Sequence, residues 1–422
     1  MIEITRGSKE RALLVAMNLK NIDNEAVNEH LLELQELAST AGAETIMKIV
    51  QAKHSPDPVF YLGKGKAEEL AGIVEAENID IVIFDDDLSP VQLRNLEKLV
   101  NKKIVDRSGL ILHIFAASAK TREAKTQVEL AQLQYMLPRL TRQWTHLSKQ
   151  YGGIRTKGPG ETQIETDRRM IRNRISHLKE NLQKIESQRN TQRQGRKDFI
   201  KICLVGYTNV GKSTLFNRLT RAGVVAEDKL FATLDSTTRQ LSLDKKKNVL
   251  LSDTVGFIRK LPANLIASFK STLDEVRDAD IILHIVDISD KYFEEHIHVV
   301  EETLKELGSD KKVILKVFNK IDLVSERDKI SFVMNNYINS IIVSAEKGIN
   351  ISSLIDKIIE LSETSFVEGD VDLNLEDSKT AAKIHSMAEV LDTKYDGSKI
   401  YIKYRTDRQS SDKIKKMVNS AK

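Results

Sequence analysis

Lys201-Ile-Cys-Leu-Val-Gly206-Tyr-Thr-Asn-Val-Gly211-Lys212-Ser213-Thr214 decides the fold. An apolar strand runs into a loop bounded by Gly206 and Ser213, and Thr214–Thr220 continues with helical character. Strand, glycine-rich loop and helix in that order form the context in which a phosphate-binding loop has meaning. The glycines let backbone N–H groups turn inward as an anion nest at a helix N-terminus. Gly206, Tyr207, Thr208, Asn209, Val210, Gly211, Lys212, Ser213 and Thr214 are therefore expected to wrap the phosphates of a nucleotide. Lys212 would reach the β- and γ-phosphates, and the Ser213 hydroxyl would ligate Mg2+.

Such a loop does not choose between adenine and guanine. The choice comes from Asn319-Lys320-Ile321-Asp322, after the apolar run Val313–Phe318. A carboxylate at Asp322 accepts from guanine N1–H and N2–H2, a donor pair that adenine lacks, and a site with buried polar groups rejects the analogue that leaves them unpaired. Asn319 and Lys320 would brace the loop and the base. Ser344-Ala345, after Ile341–Val343, would close over guanine O6 with a backbone N–H.

Asp253-Thr254-Val255-Gly256 follows the strand-like Asn248–Leu251. Asp253 would hold Mg2+ through water, and the Gly256 N–H would sense the γ-phosphate. Between these elements, Phe231, Ala232, Thr233, Leu234 and Asp235 have the position of a first switch segment. Thr233 is the candidate Mg2+ ligand that orders this loop only with GTP bound, with Thr237 and Thr238 as rivals. The expected catalytic set is Lys212, Thr233 and Gly256; the expected metal set is Ser213, Thr233 and Asp253. Residue 257 is Phe, where a Ras-like GTPase would place a water-orienting glutamine. Slow intrinsic hydrolysis, accelerated when a partner orders the switches, is the expectation. Asn209 adds K+ as a candidate cation near the phosphates, with a loop-stabilising side chain as the rival reading.

At 422 residues the chain is long for one core, and about 150 residues per domain suggests about three units. No run reaches the ~18 apolar residues of a membrane span. Met1–Gly7 has no apolar leader, so a cytoplasmic location is expected. The lone cysteine, Cys203, excludes an intramolecular disulfide and reads as a small buried hydrophobe.

Upstream of the loop, Ala12–Met17, Thr45–Val50, Ile79–Phe84 and Lys103–Val105 read as strands, with helices at Asn24–Thr40, Lys64–Glu77 and Ser89–Asn101 between them. That alternation implies a parallel sheet with packed helices. Leu62-Gly-Lys-Gly65 is either a second phosphate site or a turn before a helix. Asp85-Asp-Asp87 reads as a capping, solvated turn rather than a metal cluster.

Leu130, Leu133, Leu137, Leu140, Trp144 and Leu147 are spaced by three and four residues. So are Ile164, Arg168, Ile171, Ile175, Leu178, Leu182 and Ile185. Both are coiled-coil seams, joined by Tyr151–Gly160 with its four glycines. Two antiparallel helices of about 25 residues would make an arm roughly 40 Å long, with Pro138 interrupting the first. Residues 139–197 carry fifteen basic and five acidic side chains, a local charge of +10 against +4 for the whole chain. Ser187–Lys197 and Glu363–Ser378 read as linkers. A helix at Thr380–Val390 and a strand at Lys399–Arg405 complete the chain.

These residues resemble the bacterial HflX-type GTPases of the Obg/HflX branch, over residues ~10–365. The most specific matches are Gly152–Glu165, Phe231-Ala-Thr-Leu-Asp235 and Asp253-Thr-Val-Gly-Phe-Ile-Arg-Lys-Leu-Pro262. The resemblance implies an α/β chain with an N-terminal parallel α/β domain (1–115), a long antiparallel helical hairpin with a basic tip at 151–160 (116–197) and a Ras-like P-loop GTPase domain (198–364); a small C-terminal α+β segment (365–422) follows, to which the resemblance carries nothing. It also implies binding to the large ribosomal subunit and its rRNA, with GTP-dependent splitting or rescue of stalled or idle ribosomes. A GTP-gated role in large-subunit assembly is the alternative. Arg155, Lys157, Gly158 and Gly160 at the tip are the expected RNA contacts, because a +10 arm suits RNA phosphates. GTP and GDP are the expected small-molecule partners, DNA is not expected, and a monomer is. Peripheral membrane association is a second expectation for location, against which the lack of an amphipathic membrane helix in the basic arm argues.

Overall fold

Glu-Arg-Ala-Leu-Leu-Val-Ala-Met-Asn-Leu forms strand β1 (Glu10–Leu19), and Ala12–Met17 are all buried. A continuous apolar run of this kind belongs to a parallel strand covered on both faces. β2 (Ala43–Lys53), β3 (Ile81–Phe84) and β4 (Lys103–Asp106) join it in the order β2-β1-β3-β4, with every pair parallel. Helices α1 (Asn24–Thr40) and α4 (Arg107–Ser118) pack into the core on one face. α2 (Lys64–Ala76) and α3 (Pro90–Val100) pack on the other. α3 begins with Ser89 and Gln92 in a reciprocal capping box, and Pro90 sits where a missing N–H costs nothing. The strand order reverses direction between β1 and β3, which places a crevice at their carboxyl ends.

The computed structural model describes residues 9–19, 23–140, 163–194, 199–220, 223, 230–231, 234, 236–244, 247–260, 270–364, 366–374 and 377–421. The expected tip contacts Arg155, Lys157, Gly158 and Gly160 lie outside them.

α5 (Arg122–Met136) gives way at Pro138 to a tight turn, Leu137–Arg139. α6 (Gln163–Gln194) packs along α5 through Leu130, Leu133, Ile171, Ile175 and Leu178. Arg168, the polar member of this seam, donates to the Leu140 carbonyl at 3.1 Å. Helix α6 runs through most of the stretch read as a linker from Ser187, because nothing breaks a helix there before Gly195.

The second sheet has six strands: β5 (Ile200–Gly206), β6 (Thr237–Asp244), β7 (Lys247–Asp253), β8 (Ile281–Asp287), β9 (Val313–Asn319) and β10 (Ser340–Ile342). Their order is β10-β9-β8-β5-β7-β6, parallel except for β6. Helices α7 (Lys212–Thr220), α8 (Lys270–Asp278), α9 (Phe293–Glu306), α10 (Arg327–Asn336) and α11 (Ile351–Thr364) connect the strands. One apolar cluster continues from α1 and α4 into β5 and α7, with Phe115 and Phe231 edge-to-face at 4.7 Å.

The segment read as a second linker contains a strand. β11 (Phe366–Asn374) pairs with β13 (Lys399–Asp407), which pairs with β12 (Glu389–Asp396), all antiparallel. Val371 and Leu373 face α12 (Ser378–Met387) and α13 (Arg408–Ala421), while the intervening acids face water. Those outward acids made a half-buried strand look unpatterned.

Candidate functional site

β5 delivers its last residue, Gly206, against β8: a Cβ there would stand 2.3 Å from the Ile285 carbonyl oxygen. The loop then turns through Asn209 and Gly211, both at positive φ, and α7 starts at Lys212. At Gly211 (φ +90) a Cβ would fall 2.3 Å from the Asn319 amide nitrogen, so the phosphate loop and the Asn319 loop meet only because residue 211 is glycine.

Lys212 is buried, and its ammonium donates to the carbonyls of Tyr207 (2.6 Å) and Gly206 (3.2 Å). Burial pushes its pKa down to about 8, against the opposing charge of Asp253. The Ser213 hydroxyl donates to Asp253 Oδ2 at 2.6 Å. Asp253 is fully buried and its Oδ1 has no hydrogen-bond partner; burial raises its pKa, with Ser213 and Lys212 pulling the other way. A buried carboxylate with one oxygen orphaned beside a hydroxyl is a hard-oxygen donor set, which fits Mg2+. The Thr208 hydroxyl is likewise buried without a partner.

Gly256 crosses over this end of the site. A Cβ there would lie 2.8 Å from Thr208 Cα and 3.0 Å from Lys212 Nζ. The next residue is stitched to the phosphate loop: Thr208 N–H donates to the Phe257 carbonyl (2.8 Å), and Phe257 N–H to that of Gly206 (3.0 Å). The Phe257 ring turns away into the core with Cys203, Val205 and Val276. Thr254 donates to the Leu204 carbonyl at 2.6 Å, and Val255 is buried.

At the far end, Asn319 joins three segments. Its Nδ2 donates to the Val210 carbonyl and its Oδ1 accepts from Ala345 N–H, both at 2.9 Å. Lys320 sits at positive φ and pairs with Asp287 at 2.7 Å; Ile321 and Asp322 follow in a short turn. Ser344 is buried, and its hydroxyl accepts from Lys347 N–H. Leu234 is buried and Phe231 has positive φ, whereas Ala232, Thr233 and Asp235 lie outside the described residues. Of the rival threonines, Thr238 shares a hydrogen bond with Ser252 across β6 and β7.

Families described as GTP-binding GTPase N-terminal, GTP-binding GTPase Middle Region and 50S ribosome-binding GTPase match residues 28–116, 118–196 and 201–320. A GTPase HflX of Magnetococcus marinus is 45% identical over 393 residues, covering 92% of this chain and 91% of that protein. Those of Flavobacterium psychrophilum (50% identical, 76% and 78% covered) and Escherichia coli K12 (46%, with 79% of both chains) are similar. The chain belongs to the HflX family of GTPases. It is a GTP hydrolase with a P-loop GTPase domain. A GDP-bound GTP-binding protein of Sulfolobus solfataricus is similar over 84% of this chain and 98% of its own, at 26% identity and a TM-score of 0.44.

In this HflX-family chain the nucleotide loop is also held from the first sheet, which reading the motifs missed. Tyr207 OH donates to Glu33, and Arg259 N–H donates to the Tyr207 oxygen at 3.0 Å. The Tyr207 ring stacks on His296 at 3.9 Å. The Arg259 guanidinium meets Glu29 (2.9 Å) and Glu33 (3.5 Å). Lys260, at φ +52, reaches Asp85 (2.6 Å) and Asp86 (2.5 Å). Buried Arg107 bridges Glu33 and Asp85 from behind. Asp85 and Asp86 are thus neither a capping turn nor a metal cluster; they receive cations from the Asp253–Lys260 segment. Asp87 accepts from Ser108, and the cap of α3 is Ser89. Gly63 N–H, the candidate second phosphate donor, donates to Gln51.

Proposed function

We propose that this GTPase acts on the large ribosomal subunit, contacting its rRNA with the basic arm, and splits or rescues stalled or idle ribosomes. The observation that carries this reading is the +10 charge of residues 139–197, immediately ahead of a domain whose family is described as a 50S ribosome-binding GTPase. Structured RNA is recognised mainly through shape and phosphates, and a basic helical arm with a glycine-rich tip suits that mode. Arg155, Lys157, Gly158 and Gly160 are the proposed contacts.

In the nucleotide site, the N–H groups of Asn209–Ser213 and Thr214 take the phosphates, while that of Thr208 stays on the Phe257 carbonyl. The Lys212 ammonium exchanges two backbone carbonyls for phosphate oxygens. Gly256 N–H donates to the γ-phosphate, and Asp322 reads the guanine edge together with Ala345 N–H, which exchanges Asn319 Oδ1 for guanine O6. Ser213, Thr233 and, through water, Asp253 would hold Mg2+, which when bound offsets charge on the phosphate oxygens. Asn209, exposed at φ +61, is the proposed ligand for an added K+. With the Phe257 ring in the core, no side chain at that position orients water, so hydrolysis waits on a partner that orders the switches.

Sedimentation with purified large subunits tests this reading. Binding is expected with a non-hydrolysable GTP analogue, weaker with GDP, and falling steeply with salt as phosphate contacts are screened. Equal sedimentation in every nucleotide state would oppose it.

A further inference from the structure

Ala345 is pinned from both sides. Its N–H donates inward to Asn319 Oδ1, and its carbonyl accepts outward from Arg218 Nε at 3.0 Å. The same guanidinium donates through its other arm to the Glu346 carbonyl. Gly348, at φ +74, folds the loop around it, with its Cβ position 3.6 Å from the guanidinium carbon. Arg218 stands in the last turn of α7, the helix that begins with Lys212 and Ser213. Six residues of helix span about 9 Å, so one rigid element runs from the phosphate end of the site to the loop over the base.

We infer that Arg218 is a positioning residue for guanine recognition: it sets the Ser344–Ile349 loop so that Ala345 N–H, which here donates to Asn319 Oδ1, passes to O6 when the base is bound. A planar fork that satisfies two successive carbonyls fixes orientation as well as distance, which a lysine ammonium does not. The loop's remaining ties are the mutual pair between Ser344 and Ile349 and the Lys347 N–H bond to Ser344. These close the loop on itself and do not attach it to the phosphate helix. Arg218 supplies that attachment. The inference rests on the proposed placement of guanine between Asp322 and Ala345.

The chemistry separates this role from general support. An N–H at Ala345 serves the O6 acceptor, which guanine and hypoxanthine share and adenine replaces with an amino group. Asp322 serves the N2 amino group, which hypoxanthine lacks. Calorimetric titration of the full chain with GDP, IDP and ADP reads both. Arg218→Ala is expected to weaken GDP and IDP by the same factor, about fivefold, and to leave ADP unchanged. Arg218→Lys should fall between, and the nucleotide-free melting temperature should stay within about 2 °C because Arg218 is exposed. Equal weakening of all three ligands, weakening of GDP alone, or no weakening would overturn the inference. Asp322→Asn is the control on the pocket itself: it should erase the preference for GDP over IDP. If that preference survives, the placement of guanine fails, whatever Arg218→Ala does.

Discussion

Tyr207, the second residue of the phosphate loop, donates its hydroxyl to Glu33 on the first helix of the chain. Two sheets that fold from separate stretches of sequence are joined at the second residue of the P-loop. Glu33 also receives Arg107 and lies near Arg259, just past the Asp253–Gly256 segment. The phosphate loop and the segment that follows Asp253–Gly256 therefore meet at the same carboxylate.

The acid stability of the protein should reflect this carboxylate. Burial works to raise the pKa of Glu33, but Arg107, Arg259 and the Tyr207 hydroxyl outweigh it and hold the pKa below the ordinary glutamate range. A lowered folded-state pKa contributes stability that is present at neutral pH. That stability is lost as pH falls from the ordinary glutamate value through the folded one. Glu33→Gln should remove that acid limb and, by leaving Arg107 short of a buried partner, cost about 3 kcal/mol at pH 7. Tyr207→Phe should cost about 1 kcal/mol. Urea unfolding between pH 3 and 8 measures both; an unchanged acid limb in Glu33→Gln would contradict the assignment.

Nucleotide affinity should fall as pH rises through 8. Burial lowers the Lys212 pKa to about 8, while phosphate binding requires the ammonium form. Above that pH, binding must take up a proton, which weakens GDP up to about tenfold per pH unit until the pKa of the complex is reached. The free protein behaves oppositely. Its unfolded chain holds the Lys212 proton to about pH 10.4, so stability rises with pH in that window. Calorimetry in two buffers of different ionisation enthalpy should show proton uptake at pH 9 and little at pH 7. A flat affinity from pH 7 to 9.5 would count against the buried-lysine geometry.

Restoring a glutamine at position 257 should not create a fast GTPase. The Phe257 side chain is 2% exposed and packs with Cys203, Val205 and Val276, so a replacement points into the core rather than toward water. Phe257→Gln should bury an unpaired amide and lose about 2–4 kcal/mol. Single-turnover hydrolysis by the variant should be no faster than by the parent, and a tenfold acceleration would mean that the loop re-forms with the side chain facing the nucleotide.

The nucleotide site was legible in the sequence because its chemistry is local. Gly211, Lys212, Ser213, Asp253, Asn319 and Ala345 sit in short motifs, each at a strand end, and strand ends converge in a parallel sheet. The parallel first sheet was legible from Ala12–Met17 and Ile79–Phe84 for the same reason. α4 was not read, since Arg107–Ser118 is apolar on nearly every side and shows no periodic stripe. β11 was hidden by Asp370 and Asp372, which alternate with the inward-facing Val371 and Leu373. The contacts of Glu33 and Asp85 with Tyr207, Arg259 and Lys260 bridge more than 170 residues of chain, and no spacing rule reaches across that separation. Taken alone, Asp85-Asp-Asp87 matched a solvated turn; only the fold brings Arg107 and Lys260 to it.

Light scattering of intact ribosomes mixed with this protein and GTP tests the central claim most directly. Scattering should fall as free subunits appear, faster with GTP than with GDP. Arg155→Glu or Gly158→Pro should abolish the change while leaving the protein's own GTPase rate within about twofold, because neither residue belongs to the nucleotide site. Intact ribosomes throughout, with the protein bound, would contradict splitting and leave a GTP-gated RNA-binding factor in its place.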